Sequence, residues 1–220
     1  MERTLYAFSD PDLATDNLRP LTLRQMASRY AATISNLDSP SVILCGWSFG
    51  GVLAFETAHI LQASGFNVKG LILIDSPYPQ DHQPLPEKII RYVLSKRSPK
   101  VGVQDNSDED RMSSALLAEF TANAALLKTY SPSMLPKYVK TVSLSSRDTM
   151  DTQTLCGVSY DWLSNSKART EAIKGWGKII GGEVDVIEIP GNHFEAFDEK
   201  NIVELSAQMK KACQIIENST

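Results

Sequence analysis

Apolar residues along the chain follow two periods, that of a helix and that of a buried strand. Short runs rich in β-branched residues and leucine indicate strands at 41–44, 68–74, 139–144 and 184–189, and a shorter run at 5–8 indicates a further strand. Longer segments between them have apolar residues at every third or fourth position, which indicates helices. Strands that alternate with helices predict an α/β fold with a mostly parallel sheet and right-handed crossovers.

The first two helices have clear limits in the sequence. Thr22 and Gln25 are spaced as a capping box, which predicts a helix start. A second helix is predicted at 51–64, directly after the strand at 41–44, and ends near Gly65. The apolar face of the first helix is formed by Leu23, Met26, Ala27, Tyr30 and Ile34.

A sharp turn between the second strand and the second helix contains the first candidate for chemistry. The residues at 45–51 read Cys-Gly-Trp-Ser-Phe-Gly-Gly. A G-x-S-x-G turn between a strand and a helix is a nucleophile elbow, which holds a serine hydroxyl clear of the chain at a helix N-terminus. Ser48 is therefore the candidate nucleophile. Glycine is needed at Gly46 and Gly50, because a larger side chain at either position is expected to collide with the neighbouring residues of so tight a turn.

A nucleophilic serine needs a base and an acid, which follow it in the order Ser, Asp, His in folds of this kind. Asp75 directly follows the third predicted strand, and His193 follows the fifth. Catalytic groups in open α/β sheets collect at the carboxyl ends of strands, so we expect both residues beside Ser48. Of the three histidines, His59 lies within a predicted helix and His82 in a Pro-rich stretch, so His193 is the correctly ordered base.

Four motifs together relate the chain to a known family. They read Gly-Trp-Ser-Phe-Gly-Gly at 46–51, Leu-Ala-Phe-Glu at 53–56, Leu-Ile-Leu-Ile-Asp-Ser-Pro at 71–77 and Gly-Asn-His-Phe at 191–194. With them the chain resembles the thioesterase domains that release products from polyketide and nonribosomal peptide synthases, most closely those of fungal multidomain synthases. The resemblance implies an α/β-hydrolase fold and a catalytic triad of Ser48, Asp75 and His193. It implies no metal and no bound cofactor, because the phosphopantetheine arm belongs to the substrate.

Two aspartates compete for the role of the acid. The resemblance favours Asp75, since the acid of the fungal domains lies in an Ile-Asp-Ser-Pro motif. General α/β-hydrolases have the acid one strand later, where this chain has Asp148 after the fourth predicted strand. An aspartate followed by Ser76 and Pro77 is also typical of a turn, which leaves a purely structural role for Asp75 open.

Two segments exceed what the sheet requires. Residues 76–138 are interpreted as a lid insertion within a single domain of residues 1–220, with amphipathic helices at 85–96 and 111–130. The polar stretch at 98–110 is expected to be mobile. A lid of this kind provides the walls of a long acyl pocket and excludes water, whereas the alternative is a static surface insertion.

The second such segment, residues 151–182, contains a helix predicted around 168–176. Its aromatic residues Tyr160 and Trp162 are expected either to line the site or to pack beneath it.

Composition excludes several classes of protein. The net charge is −4, the pI is near 5.4 and no basic cluster recurs, which argues against binding to nucleic acid or to an anionic membrane. The three cysteines have neither metal-site spacing nor an even disulfide framework, so a reducing, cytoplasmic setting is expected. No apolar run reaches the length of a membrane span and no signal peptide opens the chain, so no membrane association is expected.

The N-terminus departs from the pattern of the family. Full-length domains of this type begin with further strands and a Gly-rich loop that supplies half of the oxyanion hole, and this chain starts after that loop. The fold is therefore expected to be N-terminally shortened. The remaining oxyanion donor is the N–H of Phe49, directly after the nucleophile. The run at 5–8 is expected to pair with residues 41–45, because a strand edge otherwise stays open at the centre of the sheet.

Two functions from different classes remain open. The first is a serine thioesterase that releases an acyl or polyketide product from the phosphopantetheine thioester of a carrier protein, or from a free acyl thioester, by hydrolysis or cyclisation through an acyl-serine intermediate. The second is a truncated thioesterase-like protein with little or no turnover that binds acyl chains or a partner. Within the enzyme class, a small-molecule carboxylesterase has the same triad. The intact triad favours turnover, and the missing loop argues against it.

Overall fold

A computed structural model of the chain describes residues 4–8, 21–80, 82–97 and 106–219. Within these ranges the chain is a mixed α/β structure of four strands and eight helices. The strands are β1 (Ser41–Trp47), β2 (Asn67–Ile74), β3 (Lys140–Ser146) and β4 (Val184–Ile189). The helices are α1 (Leu23–Ser35), α2 (Phe49–Ala63), α3 (Glu87–Arg97), α4 (Asn106–Thr129), α5 (Thr152–Cys156), α6 (Asp161–Ser164), α7 (Ser166–Ile180) and α8 (Ile202–Glu217).

The four strands form one sheet in the order β1-β2-β3-β4, and every pair is parallel. This confirms four of the five predicted strands and the predicted α/β fold. Ile74 is paired with Trp47 on one side and with Leu144 on the other. The carboxyl ends of neighbouring strands therefore meet at one edge of the sheet, as parallel pairing with short stagger requires.

The strand predicted at residues 5–8 is wrong. Residues 4–8 form no strand, and β1 is an edge strand of the sheet that the structure describes. Leu5 is 89% exposed, and the ring of Phe8 lies 5.5 Å from the ring of Tyr30 on α1. Part of this apolar run therefore packs against a helix, through the contact between Phe8 and Tyr30. The expected pairing with residues 41–45 is absent.

Helices cover both faces of the sheet because side chains of a strand point alternately to its two faces. Leu71 and Leu73 of β2 join the core beneath α1, α2 and α7, whereas Ile72 and Ile74 join the core beneath α8. Residues 51–58 of α2 are buried on every side of the helix, in keeping with their mostly apolar sequence. Burying each large aliphatic or aromatic side chain of these cores stabilises the fold by about 1.5–3 kcal/mol.

The segment between β2 and β3 folds as the two predicted helices, α3 and α4, with one difference. α4 begins at Asn106, so residues 106–110 are helical instead of part of an irregular polar stretch. Residues 98–105, the rest of the stretch predicted to be mobile, lie outside the described residues.

The segment between β3 and β4 contains α5, α6 and α7, and α7 confirms the helix predicted around 168–176. Asn165 caps the start of α7 through a hydrogen bond from Lys167 N–H, and Gly181 ends it in a left-handed conformation. None of the helices that the structure describes is long and apolar enough to cross a membrane.

Candidate active site

The candidate nucleophile and the candidate acid are both held in unusual backbone conformations. Ser48 has φ 52° and Asp75 has φ 44°, and in the described ranges they are the two non-glycine residues with positive φ. Each residue directly follows a strand, and its N–H extends the sheet ladder: Ser48 donates to Ile74 O at 2.9 Å, and Asp75 to Leu144 O at 2.7 Å. Such strain persists only where surrounding structure enforces it, and it clusters at functional sites.

Two glycines allow the elbow to form, although they are not the two that the sequence indicates. A Cβ at Gly46 would lie 2.0 Å from Gly50 O, so a side chain there is impossible, as predicted. A Cβ at Gly50 meets nothing within 4 Å, so the predicted collision at Gly50 is wrong. The second close approach is at Gly51, where a Cβ would lie 1.8 Å from the Ser76 hydroxyl oxygen. The first turn of α2 therefore packs directly on the residue after Asp75.

His193 is hydrogen-bonded to Asp75 in the buried edge of the sheet. The distance from His193 Nδ1 to Asp75 Oδ2 is 2.8 Å, and the two residues are 5% and 3% exposed. The other carboxylate oxygen, Oδ1, accepts from the Ser146 N–H at 3.0 Å. An ionised carboxylate only accepts, so Nδ1 carries the proton and Nε2 of the neutral imidazole is the free base.

The pKa of Asp75 is lowered despite its burial. Burial alone raises the pKa of a carboxyl group, but the hydrogen bond and charge of His193, the Ser146 N–H and the cation of Arg169 outweigh it. Asp75 is therefore ionised at neutral pH, which is the form that orients a histidine base and stabilises its protonated state.

Arg169 is a positioning residue that the sequence does not reveal. It lies on α7, is 4% exposed, and its Nη1 is 3.9 Å from Asp75 Oδ1. Its guanidinium also donates to the carbonyl oxygens of Ser146 and Asp148, the latter at 2.8 Å. A buried cation with a fixed fork of donors thus ties the end of β3 to the acid. An arginine on an amphipathic helix gives no sequence signal of such a role.

Asp148, the competing acid, takes part in the hydrogen bonds of this region through its backbone. Asp148 is exposed to solvent. Its carbonyl oxygen accepts a hydrogen bond from Arg169, and its N–H donates one to Gly191 O at 3.1 Å. The structure thus brings Asp75, and not Asp148, into hydrogen-bonding contact with His193. The backbone of Asp148 connects the loop after β3 to the loop that contains His193.

Trp47 contacts the candidate base in two ways. Its indole ring stacks on the His193 ring with centroids 5.1 Å apart and an interplanar angle of 29°. Its Nε1 donates to the backbone carbonyl of His193 at 3.2 Å. The residue before the nucleophile therefore helps to fix the ring that must reach it.

Ser48 and His193 line the same cavity, whose volume is about 230 Å³. No hydrogen bond joins Ser48 to His193 within the described part of the chain, and catalytic hydrogen bonds often tighten only when substrate binds. Phe49 also lines the cavity and is the first residue of α2, so its N–H has no acceptor within the helix. The remaining walls come from Trp47, Gly50, Pro77, His82, Leu85, Glu119, Phe120, Asn123, Ala124, Leu127, Tyr160, Trp162 and Leu163.

Both inserted segments contribute to this cavity. α4 supplies Phe120 and Leu127, and the segment after β3 supplies Tyr160 and Trp162, which therefore line the site. α3 instead packs against that second segment, since Ile89 belongs to the same apolar cluster as Tyr160. Across the residues that the structure describes, no cluster of three or more His, Cys, Asp or Glu side chains is arranged to hold a metal ion.

Comparison with known proteins agrees with this geometry. A family model for the thioesterase domain matches residues 5–213. An orsellinic acid synthase of Beauveria bassiana is 31% identical over 98% of this chain and 11% of the synthase, and thioesterase AMT4 of Alternaria alternata is 28% identical over 98% of this chain and 77% of that protein. The chain spans only 10–11% of the length of the three orsellinic acid synthases that it matches.

Among solved structures, the NocB thioesterase domain in covalent complex with a fluorophosphonate nocardicin G analogue superposes with a TM-score of 0.67. The two chains are 26% identical, over 93% of this chain and 81% of that one. The sheet order, the strained elbow and the family match converge on one assignment. This chain belongs to the thioesterase domain family, with the α/β-hydrolase fold.

Proposed function

We propose that this chain is a serine thioesterase that releases an acyl product from a phosphopantetheine thioester through an acyl-serine intermediate. The observation that carries the proposal is the buried 2.8 Å contact between His193 and Asp75, at the strand ends that border the cavity of Ser48. The family match to a thioesterase domain supports a thioester as the bond that is cleaved.

The first half-reaction forms the acyl-enzyme. Ser48 Oγ attacks the thioester carbonyl carbon while His193 Nε2 takes the hydroxyl proton. The Phe49 N–H stabilises the oxyanion of the tetrahedral intermediate. Collapse of the intermediate breaks the C–S bond, and His193 returns the proton to the leaving thiol.

The second half-reaction releases the product. His193 takes a proton from water or from a nucleophilic group of the acyl chain itself, which attacks the acyl-serine carbonyl. The C–O bond to Ser48 then breaks, and the proton returns to the serine oxygen. Water gives a free acid, and an internal nucleophile gives a ring. Asp75 stays ionised throughout and stabilises the imidazolium form of His193.

The cavity favours a compact acyl group that contains a ring. Its volume of about 230 Å³ is somewhat larger than the roughly 150 Å³ of an engineered cavity that binds benzene. Trp47, Phe120 and Trp162 supply aromatic surfaces that suit a planar ring. Three relatives are named as orsellinic acid synthases, which supports a carrier-bound polyketide acyl group as the substrate class.

Residues 76–138 act in this proposal as a lid, and α4 is the part that meets the acyl group. Phe120 and Leu127 of α4 line the same cavity as Ser48 and His193. Closure of this wall over a bound acyl group excludes water, which protects the acyl-enzyme until the correct nucleophile arrives.

A second candidate function is an acyl-binding module with little turnover. It is favoured by the single oxyanion donor, the Phe49 N–H, that can be assigned within the described residues. Loss of one such donor typically costs about 10²–10³ in turnover. A carboxylesterase is the third candidate, because the same triad cleaves oxygen esters.

Hydrolysis assays separate these candidates. Phenylacetyl-pantetheine and the matching phenylacetyl oxygen ester are incubated with the protein and with its Ser48→Ala variant, and kcat/KM is measured for both substrates. The proposal predicts turnover that depends on Ser48 and that favours the thioester. Preference for the oxygen ester favours the carboxylesterase, and binding without Ser48-dependent turnover favours the acyl-binding module.

A further inference from the structure

His82 is a second histidine in the cavity that the proposed reaction does not use. It lies between β2 and α3, is half-buried, and lines the cavity together with Ser48 and His193. Its Nε2 lies 3.1 Å from the hydroxyl oxygen of Tyr160. That hydroxyl in turn donates to the carbonyl oxygen of Gln83 at 2.8 Å.

This chain of contacts fixes which nitrogen of His82 carries the proton. A carbonyl oxygen only accepts, so the single proton of the Tyr160 hydroxyl is directed at Gln83. The hydroxyl oxygen then accepts from His82, and Nε2 must be the protonated nitrogen. The other ring nitrogen, Nδ1, is left with a lone pair, and no described residue donates a hydrogen bond to it.

His82 is suited to accept a hydrogen bond and poorly suited to act as a base. Burial, with a smaller contribution from the nearby charge of His193, lowers the pKa of His82 to about 4. The imidazole therefore stays neutral in the pH range in which His193 must cycle its proton. A neutral acceptor with a fixed tautomer in a mostly apolar cavity is suited to recognise a hydrogen-bond donor on a ligand.

We propose that His82 is a specificity-determining residue of the cavity, whose Nδ1 accepts a hydrogen bond from a hydroxyl group on the bound acyl chain. The inference rests on one part of the proposed function, namely that an acyl group binds in the cavity. An analogue without the hydroxyl excludes water from Nδ1 and leaves it unpaired, which a site built for a donor penalises. The proposal therefore concerns discrimination between related acyl groups, and not the chemical step.

Glu119 is the competing acceptor. It also lines the cavity, but its Oε1 already accepts from the Asn123 side chain at 2.9 Å. A substrate hydroxyl bound there requires rearrangement of that pair or use of the other carboxylate oxygen. The experiment must therefore separate the two residues.

The test uses hydrolysis-resistant amide analogues of phenylacetyl-pantetheine, with a ring hydroxyl at the ortho, meta or para position or with none. Isothermal titration calorimetry measures Kd for the unmodified protein. At least one hydroxylated isomer is expected to bind about tenfold more tightly than the unsubstituted analogue. His82→Leu should reduce that preference to less than twofold, and it should bind the unsubstituted analogue at least as tightly as the unmodified protein does, because no acceptor is then left unpaired.

Two further variants keep the test informative if His82→Leu does not fold. Tyr160→Phe retains the ring but frees the tautomer of His82, so an intermediate preference is expected. His59→Leu, on α2 outside the cavity, is the matched control and should leave every Kd unchanged.

Three results overturn the proposal: no isomer is preferred by the unmodified protein, the preference survives in His82→Leu, or it is lost in Glu119→Gln and retained in His82→Leu. Turnover of the phenylacetyl thioester is measured separately. A protein that shows the His82-dependent preference but no turnover contradicts the proposed function and retains this inference.

Discussion

The strand ends and the inserted segments contribute to the same cavity in different ways. Ser48, Asp75 and His193 come from the loops after β1, β2 and β4, and hydrogen bonds of the sheet ladder hold the first two. We call these three residues the strand-end triad. Residues of the inserted segments line the same cavity and form what we call the insert wall: His82, Phe120, Leu127, Tyr160 and Trp162.

The difference separates chemistry from selectivity. Ladder hydrogen bonds hold Ser48 and Asp75, and the contact with Asp75 holds His193, so the strand-end triad has little freedom, as proton transfer over hydrogen-bond distances requires. The insert wall depends on helix packing and side-chain contacts, which accept substitution more readily. We therefore expect changes in the strand-end triad to abolish turnover, and changes in the insert wall to alter which acyl group is used.

The largest effect is expected for Ser48→Ala. Removal of the nucleophile should lower kcat for an acyl-pantetheine thioester by about 10⁶-fold. Thermal unfolding should be nearly unchanged, because the Ser48 hydroxyl makes no cap hydrogen bond in α2. Ser64→Ala, at the other end of the same helix, is the control and should retain activity. Substantial turnover by Ser48→Ala would contradict the assignment of the chemical step to the strand-end triad.

The next largest effect separates the two aspartates. Asp75→Asn retains the shape of the acid but disturbs the tautomer of His193, and kcat should fall by about 10⁴-fold. Asp148→Asn should change kcat by less than about twofold, since its side chain is exposed and only its backbone enters the network. Steady-state kinetics of both variants provides the measurement. An equal or larger loss in Asp148→Asn contradicts the assignment of the acid.

Arg169→Met tests whether α7 supports the strand-end triad. Removal of one partner of a buried ion pair leaves the other charge uncompensated, so the free energy of unfolding should fall by about 3 kcal/mol. Lys174→Met, on the exposed side of the same helix, should change it by less than about 0.5 kcal/mol. Urea unfolding of the two variants makes the comparison, and equal stabilities would show that Arg169 is dispensable.

The same variant has a defined pH dependence. The pKa of Asp75 is below its ordinary value of 3.8, so its ionised form stabilises the fold above that pH, and the stabilisation is lost as pH falls through the lowered pKa. Without Arg169 the pKa of Asp75 rises. The fall in melting temperature that is linked to Asp75, followed from pH 7 to pH 2, should therefore be smaller and should end at a higher pH in Arg169→Met than in the unmodified protein.

The smallest effect is expected in the insert wall. Phe120→Ala enlarges the cavity and should raise kcat/KM for a bulky acyl thioester, relative to a small one, by about tenfold. Leu116→Ala, exposed one turn earlier in α4, is the matched control and should leave that ratio unchanged. Competition assays with paired thioesters measure the ratio. An equal fall in kcat for both acyl groups would mean that Phe120 supports catalysis directly.

The strand-end triad could be predicted from the sequence because each member follows a strand and lies in a short local motif. The sequence favours Asp75 over Asp148 only through the family resemblance, since both residues follow strands, and the contact of Asp75 with His193 separates them in the structure. Residues 5–8 have the composition of a strand, but strand pairing needs a partner that composition does not specify. The errors at Gly50 and at residues 106–110 have the same origin, because local patterns omit neighbouring elements.

The insert wall was predicted in outline and not in detail. Amphipathic periodicity gave the helices at α3 and α4, but it did not indicate that α4 alone of the two would line the cavity. The roles of His82 and Arg169 depend on contacts with residues far along the chain, Tyr160 and Asp75. Such long-range pairs leave no spacing pattern in a single sequence.

The most direct test of the central claim is intact-mass analysis after incubation with a fluorophosphonate, which reacts with an activated serine. The account predicts one covalent adduct on the protein and none on the folded Ser48→Ala variant. Absence of an adduct on the folded, unmodified protein, or an equal adduct on Ser48→Ala, would contradict the assignment of Ser48 as the nucleophile activated by His193 and Asp75.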